Sequence, residues 1–173
     1  AKDWNNNDFK LYSLEGCPKM VTGDFVITDT KLDNLVGGPQ IVGGDYRVLY
    51  CGLTSAEGAP KLAKTLNLDV NELTSLRGLE DCKVDTLRVG KNPLTSLDPL
   101  PRRAGNLWIS WSENLPVLRL LIHKGMPDIL WYQGGLPERF QEIMIKYIDQ
   151  GPAALSACAT ELIKAGFRGN AKL

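Results

Sequence analysis

Leu66-Asn67-Leu68-Asp69-Val70-Asn71-Glu72-Leu73 and, 21 residues later, Leu87-Arg88-Val89-Gly90-Lys91-Asn92-Pro93-Leu94 are two copies of one pattern. In both, apolar residues alternate with polar ones, as in a strand buried on one face, and an asparagine stands where the strand must turn. Working outward, Leu11, Leu32, Leu53, Leu73, Leu94 and Leu115 recur at steps of 21, 21, 20, 21 and 21 residues. A fixed period near 20 residues predicts a solenoid, in which each repeat is one coil that cannot bury its apolar face without its neighbours.

The first two coils agree over most of a period: Leu11-x-x-Leu14-x-Gly16-x-Pro18-x-x-Val21-x-Gly23-Asp24-Phe25-x-Ile27 matches Leu32-x-x-Leu35-x-Gly37-x-Pro39-x-x-Val42-x-Gly44-Asp45-Tyr46-x-Val48. The third coil keeps Leu53, Gly58 and Pro60 and loses one residue before Leu66, while the fifth gains one before Leu115. Phe25 and Ile27, Tyr46 and Val48, Leu66 and Leu68, Leu87 and Val89, and Leu107 and Ile109 are then the inward residues. Each strand turns at Thr30, Cys51, Asn71 or Asn92. A buried amide at that turn satisfies backbone groups of the neighbouring coil, which would be costly to leave unpaired. Thr30 does this only in part and Cys51 hardly at all, so the ladder is expected to be weaker in the first two coils. Glycine and proline in the return segment favour an irregular convex path over a long helix.

Leu94-Thr95-Ser96-Leu97-Asp98-Pro99-Leu100-Pro101 leading to Leu107 resembles the short leucine-rich repeats of secreted bacterial effectors. The form of residues 11 to 48, and the ending from Ala159 to Ala171, look more like repeat proteins of bacteriophage genomes. The resemblance implies parallel strands and a protein-binding concave face. It carries over no ligase activity, because the effector ubiquitin ligases append a separate catalytic domain that this chain is too short to hold. The expected fold is an α/β solenoid: a leucine-rich repeat of about five parallel-strand coils with an irregular convex side.

Residues 1–10 read as an N-terminal cap in which Trp4 and Phe9 cover the first coil, residues 11–115 as the solenoid, and residues 116–173 as a C-terminal helical cap of the same structural unit. Pro137-Glu138 suits a helix start, with Phe140, Ile143, Met144, Tyr147 and Ile148 at helical spacing before Gln150-Gly151. A second helix begins at Pro152, with Leu155, Cys158, Ala159, Leu162 and Ile163 on one stripe and Gly166 as its stop.

Lysine plus arginine (20) equals aspartate plus glutamate (20), so no strong overall field steers the chain onto nucleic acid or an anionic membrane. No apolar run is long enough to span a bilayer, and the N-terminus lacks the apolar segment of a signal peptide. The expectation is a cytoplasmic protein, in the host cytoplasm if phage-encoded. The dispersed cysteines, Cys17, Cys51, Cys82 and Cys158, contain no C-x-x-C pair and read as reduced thiols, three of them at repeat positions. His123 is the single histidine, so a His-rich or Cys-rich metal site is not expected. Neither G-x-x-x-x-G-K-[ST] nor G-x-S-x-G occurs. No cofactor and no catalytic residue is expected, and the chain reads as a non-enzymatic binding protein.

The residues between the inward ones point away from the core and form columns across the coils. One is Val26, Arg47, Asn67, Arg88 and Trp108. Asp24, Asp45, Thr65, Thr86 and Asn106 flank it on one side, and Thr28, Leu49, Asp69, Gly90 and Ser110 on the other. Asp45, Arg47, Leu49, Asn67, Asp69, Arg88, Trp108 and Trp111 are the candidate partner-binding residues, since tryptophan and arginine dominate interface hot spots. The extra residue in the fifth coil leaves open whether Trp108 faces outward or turns inward against the cap. Arg47 and Arg88 also read as charges paired with Asp45 and Asp69. The expected partner is a protein, a host enzyme or defence protein if the phage resemblance holds. Two other readings stay open: a nucleic-acid face built from Arg102, Arg103, Lys124, Arg139, Lys146, Lys164 and Arg168, and self-association through the sheet edge or the cap.

Overall fold

The computed structural model describes residues 2–5, 11–101, 103–122, 128–132 and 134–173. Phe9, Arg102, His123, Lys124 and the expected turn at Gly125-Met126-Pro127 lie outside them. In chain order the elements are β1 (Trp4–Asn5), β2 (Met20–Val21), β3 (Phe25–Thr28), β4 (Ile41–Val42), β5 (Asp45–Leu49), β6 (Leu62–Asn67), β7 (Lys83–Arg88), β8 (Arg103–Ile109), α1 (Arg119–Ile122), β9 (Asp128–Trp131), α2 (Glu138–Tyr147), a 3₁₀ segment (Ile148–Ala154) and α3 (Leu155–Lys164). All described pairings are parallel, in the order β1-β3-β5-β6-β7-β8-β9, with β2 beside β4 and β4 beside β6. The result is a β-solenoid of about six turns closed by C-terminal helices.

The inward residues are those the alternation selects. Phe25, Ile27, Tyr46, Val48, Leu66, Leu68, Leu87, Val89, Leu107 and Ile109 are all buried, and the five periodic leucines from Leu32 to Leu115 join them, while Leu11, the first of the series, is half-buried. Coils 1 and 2 spend an extra residue on a corner, Gly23 and Gly43-Gly44, which separates β2 from β3 and β4 from β5. Where the third coil loses that residue, the two short strands fuse into β6, and β7 and β8 keep the longer form.

Two ladders lock coil to coil. Asn71 Oδ1 accepts from Cys51 N (3.0 Å) and Leu53 N (3.2 Å), while its Nδ2 donates to Val48 O, Leu68 O and Asp69 O. Asn92 repeats the arrangement one coil on, accepting from Leu73 N and donating to Leu68 O, Val89 O and Gly90 O. Thr30 Oγ1 donates to Leu11 O and Cys51 Sγ to Leu49 O, the reduced version expected for the first coils. The residue before each of these four, Asp29, Tyr50, Val70 and Lys91, has φ of 54°, 56°, 58° and 51°, so the chain turns through the left-handed region at the same point of these four coils. The second ladder is acidic. Asp24 N donates to Asp3 Oδ1 (3.0 Å), and Asp45 N to Asp24 Oδ1 (2.9 Å).

The return segments also stack closely. Gly58 has φ +87°, and a Cβ there would overlap the backbone of Leu35 and Val36; Gly78 (φ +100°) stands in the same relation to Ala56 and Glu57. Glycine is required twice at this position, for conformation and for the close approach of the neighbouring coil.

Both ends are covered. Trp4 stacks on Phe25 at 4.8 Å, and Phe25 on Tyr46 at 4.8 Å, so the N-terminal aromatic continues the core column. At the other end β9 extends the sheet past Leu115, where the leucine period has stopped. Helix α2 buries Phe140, Ile143, Met144 and Tyr147, and α3 buries Cys158 and Leu162. Ile163, expected on the buried stripe, is exposed, because the stripe of α3 is narrower than its apolar content. After α3, Gly166 adopts φ +92° and Phe167 N donates to Leu162 O (2.8 Å), a left-handed helix stop. Asn170 then reaches back, its Nδ2 donating to Ser112 O (2.9 Å) and Leu115 O (2.8 Å). A tail residue thus supplies the last coil with an amide that its own turn lacks.

Candidate functional site on the outer face of the sheet

The sheet register aligns Val26 with Arg47, Arg47 with Asn67, Asn67 with Arg88 and Arg88 with Trp108, so the outward column exists as its spacing predicts. Pairing of Trp108 with Leu130 extends it by one strand. Trp108 faces outward and is half-buried.

At its centre the column is organised by a residue the sequence does not single out. Tyr132 follows β9, and its ring lies across Gly90, where any Cβ would overlap it. The phenol thereby reaches Asp69, 63 residues back along the chain, and donates to Asp69 Oδ2. Arg88 Nη2 donates to the same phenol oxygen (2.6 Å), and Arg88 Nε to Asp69 Oδ2 (3.0 Å). Gly90 N donates to Asp69 Oδ1 (2.7 Å). The Arg88 guanidinium carbon lies 5.4 Å from the Trp108 ring centroid and 5.6 Å from that of Tyr132, and the two rings are 5.4 Å apart.

These contacts set the electrostatics. Burial pushes the Tyr132 phenol up to about 12, with the bond to Asp69 adding to the shift, so it stays a neutral donor at physiological pH. Partial burial works against the Arg88 charge, but the bonds to Asp69 and Tyr132 outweigh it and hold the guanidinium pKa above its ordinary value. Nε and Nη2 of Arg88 are engaged, while Nη1 has no bond among the described contacts. The cluster can therefore offer a partner a fixed cation donor and two aromatic faces.

The other candidates fall out differently. Arg47 Nη2 pairs with Asp45 Oδ2 on the same strand, and Leu49 stacks beside Thr28, half-buried. Asn67 Oδ1 accepts from Asp69 N (3.0 Å). Asp69 is only 7% exposed: it holds the cluster together and presents little surface of its own. Trp111 departs from the column altogether. The extra residue of the fifth coil turns it to the cap, where it packs 6.0 Å from Phe140 and 6.3 Å from Phe167.

Among the described residues no group of three or more His, Cys, Asp and Glu side chains is placed to hold a metal ion, and no helix is long and apolar enough to cross a membrane. The four thiols are free, and burial raises all of them, Cys82 to about 12 and Cys158 to about 11, which leaves little thiolate for nucleophilic chemistry. Of the cations grouped as a nucleic-acid face, Arg139 and Lys146 bind Glu161, which Tyr147 also contacts, and Arg103 sits apart on β8. No family model, curated protein or solved structure matches the chain.

Proposed function

We propose that the chain is a non-enzymatic protein-binding module, that its coils are leucine-rich repeats, and that the concave column Arg47, Asn67, Arg88, Trp108 with Tyr132 grips the partner. The carrying observation is the Trp108–Arg88–Tyr132 stack. Aromatic and arginine side chains already fixed by neighbours lose little entropy on binding and so favour tight contacts. The phage resemblance makes the partner a host protein whose activity the chain modulates, in the host cytoplasm.

The test is affinity capture from a bacterial lysate with wild type and an Arg47→Ala/Trp108→Ala variant. Arg88 is left in place, because its removal would take from the nearly buried Asp69 carboxylate its cationic partner and loosen the cluster itself. With the melting curve unchanged, the variant should lose a partner that wild type retains. Equal recovery by both would remove the concave face from the interface.

A further inference from the structure

Where the return segment becomes strand, the solenoid carries a second ordered row, outside the concave column. Parallel pairing sets Met20 beside Ile41, Ile41 beside Leu62, Leu62 beside Lys83 and Lys83 beside Arg103. Met20, Ile41 and Leu62 are 53%, 39% and 49% exposed. Because they are aligned by the sheet, they form one continuous apolar strip, which scattered surface residues would not. Lys19, Lys61 and Lys64 border it, and Lys83 and Arg103 continue it. None of Lys61, Lys64, Lys83 and Arg103 forms an ion pair with a described residue, and Lys19 donates only to Gly37 O. These cations outnumber the neighbouring acids Glu80, Asp81 and Asp85.

The chain also carries a surface of opposite character. Glu138, Glu142 and Ile145 on α2, and Asp149 in the turn that follows, are spaced by four, three and four residues and share one stripe. All are exposed, Ile145 by 68%, and Glu142 is engaged only by the exposed Arg139. Along the helix the order is acid, acid, apolar, acid. Along the strip, from the fifth coil to the first, it is Arg103, Lys83, then Leu62 and Ile41, then Met20 beside Lys19. The lengths agree as well. Helical rise places Ile145 about 10 Å and Asp149 about 16 Å from Glu138. A coil spacing of about 4.8 Å places Leu62 and Ile41 roughly 10 to 14 Å, and Lys19 about 19 Å, from Arg103.

We infer that the Met20–Ile41–Leu62–Lys83–Arg103 strip is the docking surface for the outer stripe of α2 from a second copy of this chain. Ile145 lies against Leu62 and Ile41, Glu138 and Glu142 face Arg103 and Lys83, and Asp149 faces Lys19. The two surfaces differ, so the contact either pairs reciprocally about a two-fold axis or runs on from copy to copy.

Light scattering over a concentration series, at low and high salt, tests this with three proteins: wild type, Lys83→Glu/Arg103→Glu, and Glu138→Lys/Glu142→Lys. Wild type should grow from monomer towards dimer or beyond as concentration rises, and less so in high salt. Each variant alone should stay monomeric with an unchanged circular dichroism spectrum, since all four side chains are exposed. An equimolar mixture should regain at least a dimer, because the intact helix of one variant meets the intact strip of the other. A wild type that stays monomeric throughout, association that survives either charge reversal, or a mixture that stays monomeric would each overturn the proposal. So would a monomer that binds phosphatidylserine vesicles through the strip.

Discussion

Asn71 joins two coils through five hydrogen bonds, two accepted and three donated. Asn71→Ala removes all of them and strands two buried amide donors, so it should cost about 3 to 5 kcal/mol in chemical denaturation, whereas Thr30→Ala, with one bond to lose, should cost about 1 kcal/mol. Tyr132 adds a pH dependence whose sign follows from its raised pKa. The folded chain favours the protonated phenol, so the contribution is complete below an ordinary tyrosine pKa of 10.0 and is lost as pH rises towards about 12. Tyr132→Phe keeps the ring over Gly90 but has no proton to lose. Its stability deficit against wild type should therefore be largest below pH 10 and shrink between pH 10 and 12, as followed by denaturation midpoints. The role of Tyr132 was not legible in the sequence, because it depends on a missing side chain two coils away. The one signal is Gly90 itself, the side-chain-free member of a column otherwise filled by Thr28, Leu49, Asp69 and Ser110.

Among elements, the strands were readable because alternation and period act together: a slip of one residue would turn Phe25, Tyr46, Leu66 and Leu87 to solvent at once. Helix α2 forms where 3.6-residue spacing places it, whereas α3 begins at Leu155 and not at the expected Pro152, which lies in the 3₁₀ segment Ile148–Ala154. β9 was not readable. Asp128-Ile129-Leu130-Trp131 lacks the Leu-x-Val-x-x-Asn signature and pairs only because β8 offers an open edge. Trp111 lies beyond the end of β8, and the extra residue of the fifth coil sends its side chain to the cap. The return-segment glycines separate two effects that a sequence cannot. Gly52 (φ +66°) has open space where a Cβ would stand, whereas Gly58 would meet the Leu35–Val36 backbone. Gly52→Ala should cost about 1 kcal/mol for its left-handed conformation, and Gly58→Ala about 3 kcal/mol or more, because the coils would have to separate. Thermal or denaturant unfolding of the pair measures the difference.

For the whole molecule, coils that touch only their neighbours make stability a sum of local terms. Asn170→Ala keeps the backbone bond from Val117 N but removes the side-chain bonds to Ser112 O and Leu115 O, so it should speed amide hydrogen exchange around Ser112 and Leu115 while β5 to β7 keep their protection. Spread of the effect into those strands would mean that the solenoid opens as one unit. Tyr132 is the exception to nearest-neighbour contact, tying the last strand to Asp69 across the outer face of the sheet. The acidic ladder has a different consequence, which concerns how such a chain lengthens. Asp3, Asp24 and Asp45 recur at 21 residues, and the amides of Asp24 and Asp45 each donate to the carboxylate of the aspartate one coil before. A duplicated unit would therefore arrive carrying both halves of the joint, the acceptor for the coil after it and the donor for the coil before. Growth by whole coils needs no newly evolved contact at this seam, whereas insertion of any other length would break the joint it enters.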